Sequence, residues 1–312
     1  MISIVVVNYN TRDLLRRCLA SIELHSPQSE VVVVDNGSRD DSAEMVRREF
    51  PSAILIESAV NLGFAGGNNL GIERCTGDKI LLFNSDALLE DDCLDRCERW
   101  MDENPRVGAL SPRLMGIDGN RQRCLYRFPS IIGRLCEMAR RPLSAEPPQG
   151  DGWLAGTCLL LRRTAFEQVG GRLDDRFFMY WEDADLSAKL RRAGWDVVEL
   201  EEPYIRHLGG ASGGGSDETR RPDLHAWYFF GKLRWFAKNR PFPETALLWV
   251  LELIELPRYF FRGVVRPEYR HHRTRARVQA RVLLGFLQGQ APPPPGGAAK
   301  PARPSALVLE TT

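Results

Sequence analysis

The sequence predicts an α/β protein with a Rossmann-like, mostly parallel central sheet that is flanked by helices and followed by a helical C-terminal appendage. Three observations support this fold class. Apolar runs of strand length alternate with helix-length segments in the first third of the chain. Each of these strands ends in a polar loop. Beyond residue 220 the chain is basic and interleaves Lys and Arg with aromatic residues.

The first strand is predicted at Ile2–Val7, an uninterrupted apolar run of the kind found in buried parallel strands. A helix is predicted at Thr11–Leu24, with Thr11 as its N-cap. Val31–Val34 is a second β-branched run and predicts the next strand. Polar loops begin at Asn8 and at Asp35, where the two strands end. Because ligands bind beyond the carboxyl ends of strands in open α/β sheets, we expect both loops to line one crevice.

The pattern repeats with a strand at Ala53–Glu57, a helix at Phe64–Cys75 and a strand at Lys79–Phe83, which predicts a doubly wound sheet with right-handed crossovers. The segment Asn61–Asn69 combines glycines, which allow close backbone approach, with amides that can contact a base, a ribose or a phosphate. No GxGxxG sequence is present in it, and the first strand-to-helix turn contains no glycine. Dinucleotide binding is therefore disfavoured.

An acidic cluster marks the start of a predicted amphipathic helix, where Glu182, Asp183 and Asp185 occupy three of four positions. The helix macrodipole stabilises carboxylates there, while their mutual repulsion can raise the pKa of one of them into a range suited to proton abstraction. Helix capping is the alternative role. Further upstream, Trp153 precedes the apolar run Cys158–Leu161 and is either an exposed platform beside the sheet or a core residue.

Taken in order, these motifs resemble the inverting glycosyltransferases of family 2, which have the GT-A fold, and among them the rhamnosyltransferase-like members. The resemblance covers most of residues 1–240, and although each motif is weak alone, the ordered set is specific. The matching segments are Val5–Asn10, Val33–Ser38, Asn61–Asn69, Asn84–Asp86, Gly156–Leu160, Trp181–Leu186 and His207–Gly210.

The resemblance implies that the first half of the chain binds a nucleotide-sugar donor. Asp35 matches the acid that hydrogen-bonds the pyrimidine base of the donor. Its neighbours Asn36, Gly37 and Ser38 are also good turn formers, so a purely structural role for Asp35 stays open. The other donor-binding positions that the resemblance implies are Asn8, Tyr9, Asn61, Asn68, Asn84 and Ser85.

A divalent cation, Mg²⁺ or Mn²⁺, is the cofactor that the resemblance implies. Asp86 matches the last acid of the family's metal-binding motif, which ligates an ion bridging the donor diphosphate, and His207 resembles the His that completes the site. Hard oxygen ligands suit these ions. Asn84 stands where the motif has an Asp, which removes one negative charge and predicts modest metal affinity without donor. A plain turn at Asn84–Asp86 and a structural His207 are the alternatives.

Asp183 matches the second acid of the family's Glu-Asp motif and is the candidate base that takes the proton of the acceptor hydroxyl. On the same grounds Glu182 and Asp185 would orient the acceptor or cap the helix, and Trp153 would form an acceptor platform. One base and no enzyme nucleophile imply a single displacement with inversion at the anomeric carbon.

The resemblance points to transfer of L-rhamnose from dTDP-rhamnose to a glycan or lipid-linked glycan in cell-envelope polysaccharide synthesis. Two alternatives stay open: transfer of a hexose from a UDP donor, and a catalytically inactive subunit that binds nucleotide sugars. The second alternative is motivated by Asn84 in the metal motif.

Two stretches are predicted to be irregular. Residues 110–149 read as an acceptor-side insertion, in which Asp118-Gly119 predicts a hairpin and prolines mark a mobile segment. The glycine-rich stretch Gly209–Gly215 is either a mobile loop that closes over the diphosphate or a linker.

Length and composition suit a catalytic domain at 1–219, a basic helical region at 220–290 and a disordered tail rich in Pro, Gly and Ala at 291–312. The chain has 312 residues, of which 43% are hydrophobic. Its seven cysteines are an odd number, and no secretory signal is evident, so we expect a reducing cytoplasm. The cysteine spacing does not favour a zinc site.

Charge is distributed unevenly, although the net charge is only +1. Residues 220–281 contain 14 Lys and Arg against 5 Asp and Glu, interleaved with aromatic residues. This pattern predicts peripheral attachment to the anionic inner face of the cytoplasmic membrane, because no apolar run reaches the roughly 18 residues needed to cross a bilayer. Packing of these helices on the catalytic domain is the alternative, and nucleic-acid binding is not expected because no recognition motif is present.

Overall fold

The computed structural model describes residues 1–139, 141, 147, 152–209, 221–266 and 270–294. The strands are β1 (Ile2–Asn8), β2 (Glu30–Asp35), β3 (Ile54–Glu57), β4 (Lys79–Asn84), β5 (Ala87–Leu88), β6 (Val107–Met115), β7 (Arg121–Gln122), β8 (Leu125–Arg127), β9 (Gly152–Leu154), β10 (Cys158–Arg162) and β11 (Asp196–His207). The helices are α1 (Arg12–His25), α2 (Ser42–Glu49), α3 (Gly63–Ile72), α4 (Cys93–Glu103), α5 (Ile131–Met138), α6 (Arg163–Gln168), α7 (Glu182–Arg192), α8 (Pro222–Asn239), α9 (Phe242–Val265) and α10 (Arg270–Leu287).

The central sheet has the strand order β3-β2-β1-β4-β10-β6-β11-β5, with β7 paired to β6. Strands β3, β2, β1 and β4 are mutually parallel. The predicted doubly wound half is therefore confirmed. Its inner strands are buried because their apolar runs are covered on both faces by helices, as parallel sheets require.

The other half of the sheet is mixed, because β10 is antiparallel to both β4 and β6, whereas β11 is parallel to β6. This arrangement gives β1, β2, β4, β6 and β11 the same direction. Their carboxyl ends therefore meet at one edge of the sheet, together with the start of β10. Residues from distant parts of the sequence converge at this edge.

The hairpin predicted at Asp118-Gly119 is confirmed and joins β6 to β7. Gly119 has a φ of +75°, which favours glycine. The predicted insertion begins later than residue 110, because residues 110–115 are part of β6 in the main sheet. Its expected mobile segment and most of the glycine-rich stretch fall at residues 140, 142–146, 148–151 and 210–220, outside the described residues, as does the tail at 295–312.

Helix α8 packs on the catalytic domain through an aromatic cluster. Trp227 lies 4.7 Å, ring centre to ring centre, from Phe178, and Trp181 donates its indole N–H to the Tyr228 carbonyl at 2.9 Å. The aromatic residues of α8 thus fill an interior instead of facing a lipid surface, as the packing alternative predicted. Across the described ranges, no helix combines the length and the hydropathy of a membrane span.

Candidate active site

A cavity of about 810 Å³ opens at the carboxyl ends of β1, β2 and β4. Tyr9, Asp35, Asn61 and Ser85 are among the residues that line it. The crevice predicted from the two polar strand ends is therefore present. Its walls also include residues that the sequence did not single out, among them Ser58, Met179, Arg221 and Leu224.

Asp35 is held in place by polar neighbours on the cavity floor. Its Oδ1 accepts from the buried Asn8 amide at 3.3 Å, and its Oδ2 accepts from the Ser38 backbone N–H at 3.1 Å. Asn8 also accepts from the Thr11 hydroxyl at 2.6 Å, and the Ser85 hydroxyl lies 3.0 Å from the Thr11 hydroxyl. Thr11 thus links β1 to the end of β4, and its hydroxyl makes no N-cap hydrogen bond in α1.

Hydrogen bonds of Asn36 and Asn61 connect the loop after β2 to the start of α3. The Asn36 amide donates to Asn61 Oδ1 and to the Gly63 carbonyl, each at 3.0 Å. Gly63 has a φ of +76°, and a Cβ at this position would overlap the Phe178 carbonyl oxygen. That carbonyl accepts from the Phe64 N–H at 2.7 Å, which ties α3 to the segment before α7.

Three of the predicted donor-binding side chains do not line the cavity, and the first of them is Asn8, which holds Asp35 from beneath. The buried Asn68 amide donates to the Phe64 carbonyl one turn earlier in α3, at 2.9 Å. Asn84 ends β4, and its backbone N–H donates to the Thr157 carbonyl at 3.0 Å. The hydrogen bonds of Asn68 and Asn84 therefore hold the backbone around the cavity in place.

Asp86 and His207 are brought together by the pairing of β5 with β11. His207 Nε2 lies 3.3 Å from Asp86 Oδ1, and Asp86 is buried. The Gln122 amide donates its N–H to the His207 carbonyl at 3.2 Å, which directs its Oε1 toward His207 Nδ1 at 2.6 Å. Nδ1 must then carry a hydrogen, so Nε2 is the nitrogen that faces the carboxylate.

This arrangement fits a divalent cation. A neutral imidazole nitrogen and a carboxylate oxygen repel each other at 3.3 Å unless a proton or a metal ion lies between them. Adjacent ligands of one octahedral Mg²⁺ lie about 3 Å apart, which is close to the separation seen here. Within the described ranges no three Cys, His, Asp or Glu side chains are placed to hold one metal ion, so a bound ion would need oxygens from a ligand as well. Gln122 orients the His in the manner of outer-shell partners.

Asp183 lies at the start of α7, next to the loop that leads into β10. Its Oδ2 accepts from the Gly156 N–H at 3.0 Å and its Oδ1 accepts from the Ala184 N–H at 2.8 Å. Since Thr157 pairs with the end of β4, this loop carries Asp183 to the same edge of the sheet as Asp86. Loss of hydration raises the pKa of Asp183 to about 6, against the two backbone donors, which lower it.

Glu182 is buried more deeply than Asp183, and burial and the neighbouring Asp183 charge raise its pKa well above its usual range. The protonated form of Glu182 is thereby favoured, which leaves Asp183 as the carboxylate of the pair. The backbone just before them is strained, because Tyr180 and Trp181 have φ values of 69° and 77°. Such left-handed conformations in bulky residues cluster at functional sites.

Asp185 has a different environment from Asp183. The Lys238 ammonium donates to Asp185 Oδ2 at 2.6 Å, and the Asn239 amide donates to Oδ1 at 3.2 Å. Both oxygens of this buried carboxylate are therefore engaged by α8. These contacts join α7 to α8 and occupy both of the oxygens with which Asp185 could bind an acceptor.

Trp153 stacks on Tyr126 across the two-stranded sheet β8-β9, with ring centres 4.9 Å apart and planes inclined by 22°. Its indole N–H donates to the Arg127 carbonyl at 3.0 Å, and its ring lies 6.3 Å from that of Trp181. The Trp153 ring is partly exposed. A flat, half-exposed aromatic pair next to the strained turn before Asp183 provides a surface on which a sugar could lie.

The fold and these residues define a GT-A glycosyltransferase. The sequence profile described as "Glycosyl transferase family 2" matches residues 3–170, and the chain belongs to this family. Family membership places it among the enzymes that transfer sugars, as the sequence motifs predicted.

Among curated relatives, the chain is 30% identical to the N-acetylglucosaminyl-diphospho-decaprenol L-rhamnosyltransferase of Mycobacterium tuberculosis, over 77% of this chain and 90% of the relative. It is 25% identical to the low-salt glycan biosynthesis hexosyltransferase Agl10 of Haloferax volcanii, over 78% and 77% of the two chains.

Solved structures support the fold. The mannosyltransferase PcManGT from Pyrobaculum calidifontis, in complex with GDP-Man and Mn²⁺, has a TM-score of 0.55 at 18% identity and covers 92% of this chain and 87% of its own. S. aureus TarS 1-349 in complex with UDP-GlcNAc has a TM-score of 0.52 at 15% identity, covering 93% and 92%.

Proposed function

We propose that the protein transfers L-rhamnose from dTDP-rhamnose to a glycan or lipid-linked glycan acceptor in cell-envelope polysaccharide synthesis, with inversion at the anomeric carbon and with Mg²⁺ or Mn²⁺ as cofactor. The observation that carries the proposed chemistry is the Asp183 carboxylate, whose pKa is raised and which lies at the same sheet edge as the donor cavity. The choice of rhamnose is supported by the Mycobacterium tuberculosis relative, whose name combines L-rhamnosyl transfer with a diphospho-decaprenol-linked sugar.

On the donor side, Asp35 accepts hydrogen bonds from the base, and Asn8 fixes the orientation of that carboxylate. Tyr9, Asn61 and Ser85 contribute cavity wall around the nucleotide. Asn68 and Asn84 contribute indirectly, because their hydrogen bonds hold the backbone around the cavity in place.

Asp86 and His207 would hold the divalent cation, since Gln122 keeps His207 Nε2 directed toward the Asp86 carboxylate. When bound, such an ion neutralises the negative charge that develops on a leaving nucleoside diphosphate. With only two protein ligands and Asn84 in place of an acid, the site would depend on oxygens of the donor phosphates to hold the ion.

Asp183 takes the proton of the acceptor hydroxyl as that oxygen bonds to the anomeric carbon and the bond from this carbon to the nucleoside diphosphate breaks. Glu182, with its proton retained, does not compete for this role. The acceptor sugar lies against the Trp153–Tyr126 pair, while Asp185 serves the α7–α8 contact and is left out of the acceptor site.

Two alternatives keep specific support. The Haloferax volcanii relative is named a hexosyltransferase, which favours a hexose donor such as a UDP-sugar. Asn84 in the metal motif favours a subunit that binds nucleotide sugars without turning them over.

A donor panel tests all three. Thermal shifts with Mn²⁺ and dTDP-rhamnose, UDP-glucose, UDP-galactose or GDP-mannose should show the greatest stabilisation with dTDP-rhamnose, about 2.7 kcal/mol at a concentration 100 times the Kd. Metal-dependent release of dTDP that is lost in Asp183→Asn supports the proposal. Preference for a UDP-sugar would replace the donor assignment, and binding without release of nucleotide from any donor would support the inactive subunit.

A further inference from the structure

Helix α9 has its charged and apolar faces reversed relative to a helix of a water-soluble protein. Its acidic side chains Glu252 and Glu255 are buried, with Glu252 only 2% exposed. Aliphatic and aromatic side chains point outward instead, and Ile254 and Val265 are 58% and 75% exposed. The outer stripe consists of Leu247, Val250, Leu253, Ile254, Phe261, Val264 and Val265.

The stripe follows the period of a helix, with steps of three and four residues before Ile254 and after Phe261. Between these two residues the same face carries Pro257 and the half-exposed Arg258, so a basic side chain lies within the apolar stripe. From Leu247 to Val265 it extends about 27 Å at 1.5 Å per residue. Contiguous exposed apolar surface of this extent marks an interaction site, whereas scattered exposed apolar residues do not.

Helix α5 shows a partial reversal, because its outer face carries the exposed Glu137 besides aliphatic side chains, and it is joined to α9 through its buried Arg134. Arg134 is 7% exposed and donates to Glu252 at 2.7 Å, while Ile132 is 67% exposed. Leu135 on α5 is also exposed. The two helices thus bury an ion pair between them and present aliphatic side chains outward.

Buried charges of this kind are held by several partners. Lys232 of α8 donates to Glu252 at 2.8 Å, and Arg258 donates to Glu255 at 2.9 Å and to the Met138 carbonyl at 3.2 Å. The inward orientation of the acids is therefore fixed by ion pairs on three helices. Rotation of α9 to hide its apolar stripe would break these pairs and leave buried cations without counter-charges, at a high energetic cost.

Positive charge lies next to the stripe. The Arg273 guanidinium is 5.8 Å from the centre of the Phe260 ring, and that of Arg275 is 4.9 Å from the centre of the Tyr259 ring. Arg266 at the end of α9 is exposed. The sequence of α10, 270–287, contains no Asp or Glu.

We propose that the outer faces of α5 and α9 form a docking surface for an anionic lipid bilayer, with the apolar stripe at the level of the acyl chains and the arginines of α10 at the lipid headgroups. Charge complementarity favours a bilayer over a second copy of the chain, because a second copy would bring its own arginines to the same contact. An anionic bilayer instead attracts each basic residue near its surface by about 1 kcal/mol. An apolar face bordered by Arg and aromatic residues is the pattern of helices that lie in the membrane interface.

The docking surface deepens the proposed function and rests on it for its biological use. Helix α5 follows β8 directly along the chain, and β8 carries Tyr126, which stacks on Trp153. A bilayer at α5 and α9 therefore lies on the acceptor side of the active site, where a lipid-linked acceptor would present its sugar.

Vesicle cosedimentation of the full chain tests the surface. Binding should be strong with vesicles of phosphatidylcholine and phosphatidylglycerol, weaker in high salt, and weak with phosphatidylcholine alone. The double variant V250E/I254E should weaken binding by at least about 100-fold. The double variant R266Q/R273Q should weaken it by about 30-fold, with the loss confined to anionic vesicles.

The matched control is L24E/I117E, which places the same two charges at exposed apolar positions away from α5 and α9. The control should bind like the unaltered chain, and circular dichroism should show the same fold for all variants. Equal binding by V250E/I254E and the control would overturn the proposal. It would also be overturned by a dimer in lipid-free sedimentation that V250E/I254E dissociates, or by binding that appears only after removal of residues 295–312.

Nucleotide release from the donor, measured on the same variants without lipid, separates the two proposals. Retained release with lost vesicle binding in V250E/I254E supports the docking surface. Vesicle binding by a chain that releases no nucleotide from any donor would leave the docking surface standing and overturn only the proposed transfer reaction.

Discussion

Replacement of Asp183 by Asn should abolish turnover and, at the same time, change how the stability of the fold depends on pH. The carboxylate is the proposed base, so its loss should lower kcat by about 10²- to 10⁴-fold, the usual contribution of such groups. Asn has almost the same shape but cannot ionise. The same substitution therefore reports on the raised pKa of Asp183 through the free energy of unfolding.

The sign follows from proton linkage. The ordinary pKa of this carboxyl is 3.8, and in the folded protein it is about 6. Between these pH values the folded chain keeps a proton that the unfolded chain has released. The contribution of this carboxyl to the free energy of unfolding is therefore fully present below pH 3.8 and is lost as pH rises to 6. The full pKa difference corresponds to a loss of at most about 3 kcal/mol in the free energy of unfolding. Because Asp183 is only half-buried, water screens part of it, and we expect about 1.5 to 3 kcal/mol.

A second, pH-independent contribution has the opposite sign. Asp183 accepts from the Gly156 and Ala184 N–H groups with different oxygens, and Asn offers only one acceptor oxygen. One backbone donor then loses its partner, which destabilises the variant by about 1 to 3 kcal/mol at every pH. The informative quantity is therefore the change with pH of the difference in stability between the two proteins.

Urea unfolding of both proteins from pH 4 to pH 8 measures that difference. The stability of the Asn variant relative to the unaltered protein should increase by about 1.5 to 3 kcal/mol across this range. Removal of the Asp183 charge also makes ionisation of Glu182 easier, which acts in the same direction. In parallel, kcat/KM of the unaltered enzyme should fall tenfold per pH unit below about pH 6.

A relative stability that does not change with pH would show that Asp183 has an ordinary pKa. Turnover within a few-fold of the unaltered enzyme in Asp183→Asn would refute its assignment as the base, whatever the stability data show.

Three further substitutions test other parts of the structure. Gly63→Ala should lower the free energy of unfolding by about 3 kcal/mol or more, because the new Cβ would overlap the Phe178 carbonyl at a position with positive φ. The control Gly119→Ala also has a positive φ but lies in open space, so it should lower the free energy of unfolding by about 1 kcal/mol. Equal losses for the two variants in urea unfolding would contradict the overlap. Gln122→Ala should raise the Mn²⁺ concentration for half-maximal turnover by about 10- to 100-fold, and an unchanged Mn²⁺ titration would remove Gln122 from the metal site. Asp185→Ala should lower stability by about 3 kcal/mol without changing KM for the acceptor, and a raised KM would return Asp185 to the acceptor site.

Much of the first half of the fold was predictable because local pattern and tertiary structure agree there. The apolar runs of β1, β2 and β4 can only be buried as parallel strands covered by helices, and the crevice at their carboxyl ends follows from that topology. The hairpin at Asp118-Gly119 was equally local, since its turn requires a positive φ that glycine supplies.

Several site residues could not be found from sequence because their roles depend on distant partners. Gln122 carries no motif and acts only through its position beside His207, 85 residues away. Thr11 has the sequence position of an N-cap, yet its hydroxyl bonds to Asn8 and approaches Ser85. Asp185 belongs to the same acidic cluster as Asp183, and only the packing of α8 distinguishes the two carboxylates.

The amphipathic pattern of the C-terminal helices shows the same division. Aromatic residues of α8 suggested contact with a membrane but pack inside the protein, whereas the outward stripe of α9 is defined by ion pairs that the sequence could not assign. The sequence by itself determined the chemical groups, the parallel half of the sheet and the family. Tertiary structure alone decided which carboxylate stays available at the active site and which face of α9 meets the surroundings, because burial and charge pairing depend on contacts between residues far apart in the chain.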